Sequence, residues 1–255
     1  MWNWEKGLRL ISPRSEQNME KLAPAATFAP YSPEQTAQLA RQWTKAMWNS
    51  SLWKQVSWLG VPVLQWPTDL ILLQELIARV RPRCIVETGL YQGGTAVFYA
   101  SILELLRLDG QVISIDIAID PAARRNIETS PFCGRIHLLE GDSKSELVHR
   151  QLQSLLNGET NVLVCLDSDH SYEHTLAELR LFSRYVPAGG YLVLLDTICE
   201  ELADTPNGDP AWSHDSPMAA LRQFLAENPD FSSDPACEKF LVTFAPRGFL
   251  VRKSG

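Results

Sequence analysis

RCIVETGLYQGGTAVFYASILELL, residues 83–106, is the stretch on which the fold turns. An apolar run from Cys84 to Val86 ends in the carboxylate of Glu87, turns on Gly89, Gly93 and Gly94, and gives way to the helix-like TAVFYASILELL. A parallel strand that ends in this way and opens a helix makes a nucleotide-type pocket at the carboxyl edge of a sheet.

The pattern repeats outward from that stretch. PTDLILLQELIARV (67–80) precedes it with a capping Thr68 and apolar residues at helical spacing. QVISID ends at Asp116, RIHLLEGD at Asp142, VLVCLD at Asp167 and GGYLVLLD at Asp196. Helical segments DPAARRNIET, SELVHRQLQSLL and YEHTLAELRLFSRY separate them. Alternating short apolar strands and amphipathic helices predict a mostly parallel sheet with helices on both faces. The last third predicts a long loop, CEELADTPNGDPAWSHDSP (199–217), a helix over MAALRQFLAEN, and two short strands around the turn APRG (245–248). Together these suggest an antiparallel edge.

Residues 1–66 differ in composition from the rest of the chain. Trp2, Trp4, Trp43, Trp48, Trp53 and Trp58 lie before Gly60, Trp66 closes the region, and Pro24, Pro30 and Pro33 interrupt it. SPEQ at Ser32 predicts a helix start. We expect an N-terminal, Trp-rich and partly helical extension over 1–66 and the main domain over 67–255, the extension packing on that domain or on a second subunit of a homo-oligomer. At 255 residues one sizeable core is economical.

Composition excludes several partners. The formal charge is 23 minus 30, or -7, with no basic cluster, which argues against nucleic acid. No apolar run approaches bilayer length and the first residues lack a secretion-signal core, so no membrane partner and a cytoplasmic location are expected. The cysteines Cys84, Cys133, Cys165, Cys199 and Cys237 form no CxxC pair and read as free thiols.

Three groups of residues carry chemistry. The glycines of the first loop do not fit GxGxxG, and Glu87 before them repels a pyrophosphate; it suits an ammonium or sulfonium ligand, and S-adenosylmethionine carries both. Asp116 ends the next strand, where an acid accepts from both ribose hydroxyls of either NAD or S-adenosylmethionine. Asp142 and Ser143 in EGDS are placed to meet an adenine edge, although lone residues of this type also suit solvated turns. The third group is LDSDHSYEH (166–174) with LLDT (194–197): Asp167, Asp169 and Asp196 can converge on a hard divalent cation such as magnesium. His170 and His174, four apart on an expected helix face, also permit a softer metal, with His174 reading as a capping or packing residue.

With these segments in place the chain resembles the cephalosporin hydroxylase family, a branch of class I S-adenosylmethionine-dependent methyltransferases that also includes rhamnosyl O-methyltransferases. The matching stretches are WLGVPVLQWPTD, RPRCIVETGLYQGGTAVFYASIL, ISIDI, LEGDS, LDSDHSYEHTLAEL, YLVLLDT, SPMAALRQFL and EKFLVTFAPRGFLVR, in order over about residues 57–252. The resemblance implies a Rossmann-like class I methyltransferase sheet. Glu87, Gly89, Tyr91, Gly93 and Thr95 would line the methionine end, Asp116 the ribose, Asp142 and Ser143 the adenine, and Asp167 would join the cofactor side.

The site is also similar to that of catechol-type O-methyltransferases, which implies magnesium or another divalent cation on Asp169 and Asp196. The family places Glu before the second of these acids. Here Leu195 stands in its place, with Asp167 or Thr197 as substitutes. The position of a basic lysine is taken by Tyr172, so Asp169, His170 and Tyr172 are the candidate catalytic residues. The implied activity is O-methylation of a hydroxyl on a small-molecule acceptor, a secondary metabolite that is carrier-bound or glycosylated, with the loop from Cys199 to Ser216, including Trp212, His214 and Asp215, as its lid. Two other readings stay open: an accessory subunit that binds S-adenosylmethionine without methyl transfer, and one domain of a larger assembly line with residues 1–30 as docking piece or linker.

Overall fold

The computed structural model describes residues 31–254. Trp2, Trp4, Pro24, Pro30 and the docking or linker role expected of residues 1–30 lie outside them. Helix α1 (Pro33–Asn49) starts at the SPEQ motif, where Ser32 Oγ accepts from the Gln35 amide at 3.3 Å. Residues 40–255 form one compact unit, which holds the sheet and its site.

After a two-stranded ribbon, β1 (Ser57–Trp58) and β2 (Val61–Pro62), the chain alternates as its sequence predicts. The elements are α2 (Pro67–Val80), β3 (Cys84–Thr88), α3 (Gly94–Leu105), β4 (Gln111–Asp116), α4 (Pro121–Glu128), β5 (Ile136–Glu140), α5 (Glu146–Leu156), β6 (Val162–Leu166), α6 (Tyr172–Phe182) and β7 (Tyr191–Leu194). Then come α7 (Cys199–Leu202), α8 (Pro217–Glu227), β8 (Phe231–Ser233) and β9 (Phe249–Arg252). Side-chain caps start several helices: Asp120 accepts from Ala122, Ser145 from Val148 and Ser216 from Ala219.

Seven strands form one sheet in the order β5-β4-β3-β6-β7-β9-β8. The pairs β4–β5, β3–β4, β3–β6 and β6–β7 are parallel, while β9 runs antiparallel to both β7 and β8. From β3 the chain steps outward through β4 and β5, then returns to place β6 on the other side of β3. The loops leaving β3 and β6 therefore diverge and open a crevice at the carboxyl edge. Alternate residues of β3 serve different cores: Ile85 packs in the layer with α2 and α3, Cys84 and Val86 in the layer with α5, α6 and α8. Helix α3 is buried from Gly94 through Leu103 because the ribbon covers its outer side; Trp58 donates its indole N–H to Ser101 Oγ at 2.9 Å and meets Phe98 edge-on.

Two local expectations are corrected. Of the two strands expected around APRG, only β9 forms there, and its outer partner is β8, with Phe231 opposite Arg252. The segment before the turn is held instead by a buried acid: Asp69 accepts from Thr243 Oγ1 at 2.5 Å and from the Phe244 amide at 2.7 Å. Burial pushes Asp69 up to about 7. The stretch from Cys199 to Pro217 is not a plain loop; it contains α7 and a 3-10 turn, Pro210–Ser213, capped by Asp209.

All five cysteines are free, and four of them are buried. Trp48 and Trp53 stack with ring centroids 5.0 Å apart, and Trp66, Trp212 and Phe244 pack around them. Among the described residues no helix is long and apolar enough to cross a membrane.

Candidate functional site

A cavity of about 680 Å³ opens beyond the carboxyl ends of the parallel strands. The glycine loop contributes Gly89, Leu90, Tyr91, Gly94 and Thr95; the end of β4 contributes Ile115, Asp116 and Ile117; the turn after β5 contributes Asp142, Ser143 and Lys144. Asp167 to His170, His174 and Asp196 form another side, with Trp53 and the ribbon segment Pro62 to Leu64 beside them.

The backbone around this cavity is tightly drawn. Leu64, Tyr91 and Asp196 all have positive φ, at 49°, 46° and 53°, which is costly for residues with a Cβ and concentrates where a side chain must be aimed. Gly89, at φ 84°, has no alternative: a Cβ there would lie 1.8 Å from the Asp167 carbonyl oxygen. Its glycine joins the loops of β3 and β6. Gly94 likewise lets the Pro62 carbonyl approach the start of α3, where a Cβ would meet it at 2.1 Å.

Of the residues assigned to a cofactor, Gly89, Tyr91, Thr95, Asp116, Asp142, Ser143 and Asp167 share the cavity wall. Asp116 Oδ2 accepts from the Leu90 and Tyr91 amides at 2.8 and 3.4 Å, so it also holds the glycine loop in place. Glu87 and Gly93 lie behind the wall. Glu87, 2% exposed, points with Ile85 into the α3 layer and accepts from Ser114 Oγ at 2.5 Å; burial pushes it up to about 7. Gly93 faces α4, where a Cβ would press on Ile127.

The acids after β6 and β7 converge differently from the expected Asp169, Asp196 and Thr197. Asp167, His170 and Asp196 each offer a ligand atom, all within 4.8 Å of one another. His170 Nε2 stands 3.1 Å from Asp196 Oδ2 and 3.8 Å from Asp167 Oδ1. It is nevertheless buried without a hydrogen-bond partner. Burial opposes charge on His170, but the Asp196 and Asp167 carboxylates beside it favour the charged ring and hold its pKa well above the usual imidazole value. Two carboxylate oxygens and an unpartnered imidazole nitrogen at this spacing fit a divalent cation.

Asp169 lines the cavity, but its carboxylate accepts from the Ser171 amide at 2.7 Å and turns along the entry to α6. Thr197 is fully buried and donates to the Pro246 carbonyl. Tyr172 packs beside the α6 core, its backbone amide donates to Asp215 Oδ1 at 2.5 Å, and neither residue lines the cavity. Trp212 meets Trp48 edge-on at 5.8 Å, and His214 also lies outside the lining. His170 and His174 do not share a helix face, because α6 begins at Tyr172; His174 pairs with Glu178 one turn along at 3.2 Å.

The sequence reading missed Gln65. It is 2% exposed and donates its side-chain amide to Asp167 Oδ2 at 2.7 Å. A lone Gln 102 residues from its partner carries no spacing signal. Its place within WLGVPVLQWPTD was the only pointer.

Comparison with known proteins agrees with this architecture. The family model described as rhamnosyl O-methyltransferase/CmcI matches residues 50–253. The rhamnosyl O-methyltransferase of Mycobacterium leprae is 31% identical over 226 residues, covering 86% of this chain and 92% of that protein. That of Mycobacterium tuberculosis is 30% identical, covering 84% and 85%. Among solved structures, CmcI with Mg and SAM superposes with a TM-score of 0.56 at 21% identity, covering 79% of this chain and 78% of that one. At these identities the solved structures speak to the fold alone.

Proposed function

The chain belongs to the rhamnosyl O-methyltransferase/CmcI family of S-adenosylmethionine-dependent O-methyltransferases, and from that premise we propose that it methylates a hydroxyl of a glycosylated secondary metabolite with the help of a divalent cation. The observation that carries the reading is the convergence of Asp167, His170 and Asp196 on one wall of a cavity whose other walls hold the glycine loop and Asp116. S-adenosylmethionine supplies an electrophilic methyl group, and a divalent cation lowers the pKa of a hydroxyl bound to it.

Asp116 accepts from the ribose hydroxyls, while the loop Gly89 to Tyr91 that it holds covers the methionine end. Thr95, at the start of α3, faces the same end, with Glu87 behind it. Asp142 and Ser143 meet the adenine. Asp167 and Asp196 supply carboxylate oxygens to the cation, and Gln65 keeps Asp167 aimed. His170, between the two acids, would complete the ligand set with a divalent cation in place of the ring proton that those acids favour; Asp169 borders the space where the acceptor enters. The catalytic work is positioning and charge stabilisation. Trp53, Val63 and Leu64 give the acceptor an apolar wall suited to a sugar face or an aglycone. The name of the mycobacterial relatives supports a deoxyhexose hydroxyl as the methylated group.

Leu195, 2% exposed and packed in the core, stands where the resembled family carries a ligand, and favours one second reading: an accessory subunit that binds S-adenosylmethionine without turnover. Incubation with S-adenosylmethionine and a panel of rhamnosides, with and without chelator, separates the two by mass. Methylation lost in chelator and restored by added divalent cation is expected. Full methylation in chelator would remove the metal, and tight cofactor binding with no turnover on any acceptor would favour the accessory reading.

A further inference from the structure

Behind the cavity lies a buried carboxylate that the proposed chemistry does not use. Glu178, on α6, is 1% exposed and accepts hydrogen bonds on both oxygens. Ser143 Oγ donates to Oε1 at 2.6 Å, while Ser168 Oγ and Thr88 Oγ1 donate to Oε2 at 2.8 and 3.2 Å. His174 Nε2 stands 3.2 Å from Oε1 and 3.2 Å from Ser168 Oγ. One acid thus ties together the ends of β3, β5 and β6. Ser143 and Ser168 also line the cavity.

A hydroxyl has one proton and two lone pairs, and an ionised carboxylate only accepts. The protons of Ser143 and Ser168 are therefore committed inward, to Glu178 at 2.6 and 2.8 Å. What these hydroxyls retain for the cavity is acceptor capacity. Asp142, next to Ser143, is an acceptor too, already engaged with the Lys144 amide at 2.9 Å.

We infer that Glu178 is a specificity-determining positioning residue: by holding the protons of Ser143 and Ser168 inward, it makes this end of the cavity select a purine bearing a 6-amino group over a 6-oxo purine. The inference rests on the S-adenosylmethionine reading of the cavity. A 6-amino group donates two hydrogens to such a surface. A 6-oxo group turns lone pairs against lone pairs and leaves buried acceptors unmatched, the situation in which polar discrimination is strongest.

The test compares S-adenosyl-L-homocysteine with S-inosyl-L-homocysteine by titration calorimetry. Wild-type protein is expected to bind the inosyl compound at least about 30-fold more weakly, the scale of a mismatched buried hydrogen bond. In Glu178→Gln the side-chain amide donates to one serine, freeing that hydroxyl proton for the cavity, and the ratio should fall below about fivefold. Ser168→Ala, which leaves the carboxylate in place, should weaken the adenosyl compound by roughly tenfold and change the inosyl compound by less than about threefold. Equal wild-type affinities overturn the inference, as does unchanged discrimination in a Glu178→Gln protein with a normal thermal melt. If that variant does not fold, the wild-type ratio and Ser168→Ala decide. Failure of the adenosyl compound to bind wild type at all overturns the cofactor reading itself.

Discussion

Glu178 and Asp196 are acids set against the same cavity, yet their surroundings are finished to different degrees. Glu178 receives donors from three hydroxyls on the chain and pairs with His174. Asp196 faces Asp167 and an imidazole nitrogen that has no hydrogen bond of its own. Buried polar groups are normally satisfied, and a network completed by the chain itself stiffens the fold. A group left incomplete beside a cavity marks where something else binds. The first arrangement shapes the site; the second is open to a ligand.

The largest effect should come from breaking the incomplete side. Asp196→Ala is expected to lower kcat by about 10²- to 10³-fold, the scale of losing a group that stabilises developing charge. Mn²⁺ binding followed by electron paramagnetic resonance should be lost, while S-adenosylhomocysteine affinity stays within about threefold. Retained Mn²⁺ binding would show that this trio is not the ion site.

Next in size is Asp116→Ala, which removes one or two charge-assisted hydrogen bonds worth about 1.5–3 kcal/mol each and should weaken S-adenosylhomocysteine by at least tenfold in a calorimetric titration. An unchanged affinity would displace the ribose from that wall. Gln65→Leu reaches the incomplete side from behind: Asp167 loses the donor that aims it, and Mn²⁺ affinity should fall about tenfold, as for other groups that orient metal ligands. Asp167 would be rigid without Gln65 if that affinity did not move.

The smallest effect is on stability. Asp69 and Glu87 are raised by burial to about 7, so the folded protein keeps protons that the unfolded chain releases near pH 4. Their contribution to stability is therefore present below pH 4 and is lost as pH rises toward 7. Asp69→Asn should remove part of that slope, shifting Tm relative to wild type upward between pH 5 and pH 8. A parallel pH profile for the two proteins would refute the assignment.

Much of this cavity was legible from the chain. Asp116 and Asp142 follow apolar runs closely enough for their position at the sheet edge to be read directly, and Gly89 sits where a strand must turn. Asp167 and Asp169 were harder, since both follow β6 within three residues and only side-chain direction separates them. The loop turns Asp169 onto the Ser171 amide and leaves Asp167 against Gln65. Glu87 read as a wall residue because it ends a strand, but strand alternation sends it into the α3 layer.

The order of residues was enough to dictate the alternation of strands and helices, the parallel sheet with its crevice, and the acids at its carboxyl edge, because apolar periodicity and glycine turns are local and each is written in a few adjacent residues. Folding in three dimensions was needed to select which of those acids meet His170, to brace Asp167 with Gln65, and to gather the serines of separate loops around Glu178. Those pairings join residues far apart in the chain through directional bonds of about 3 Å, and no local pattern encodes which distant residue a side chain will meet.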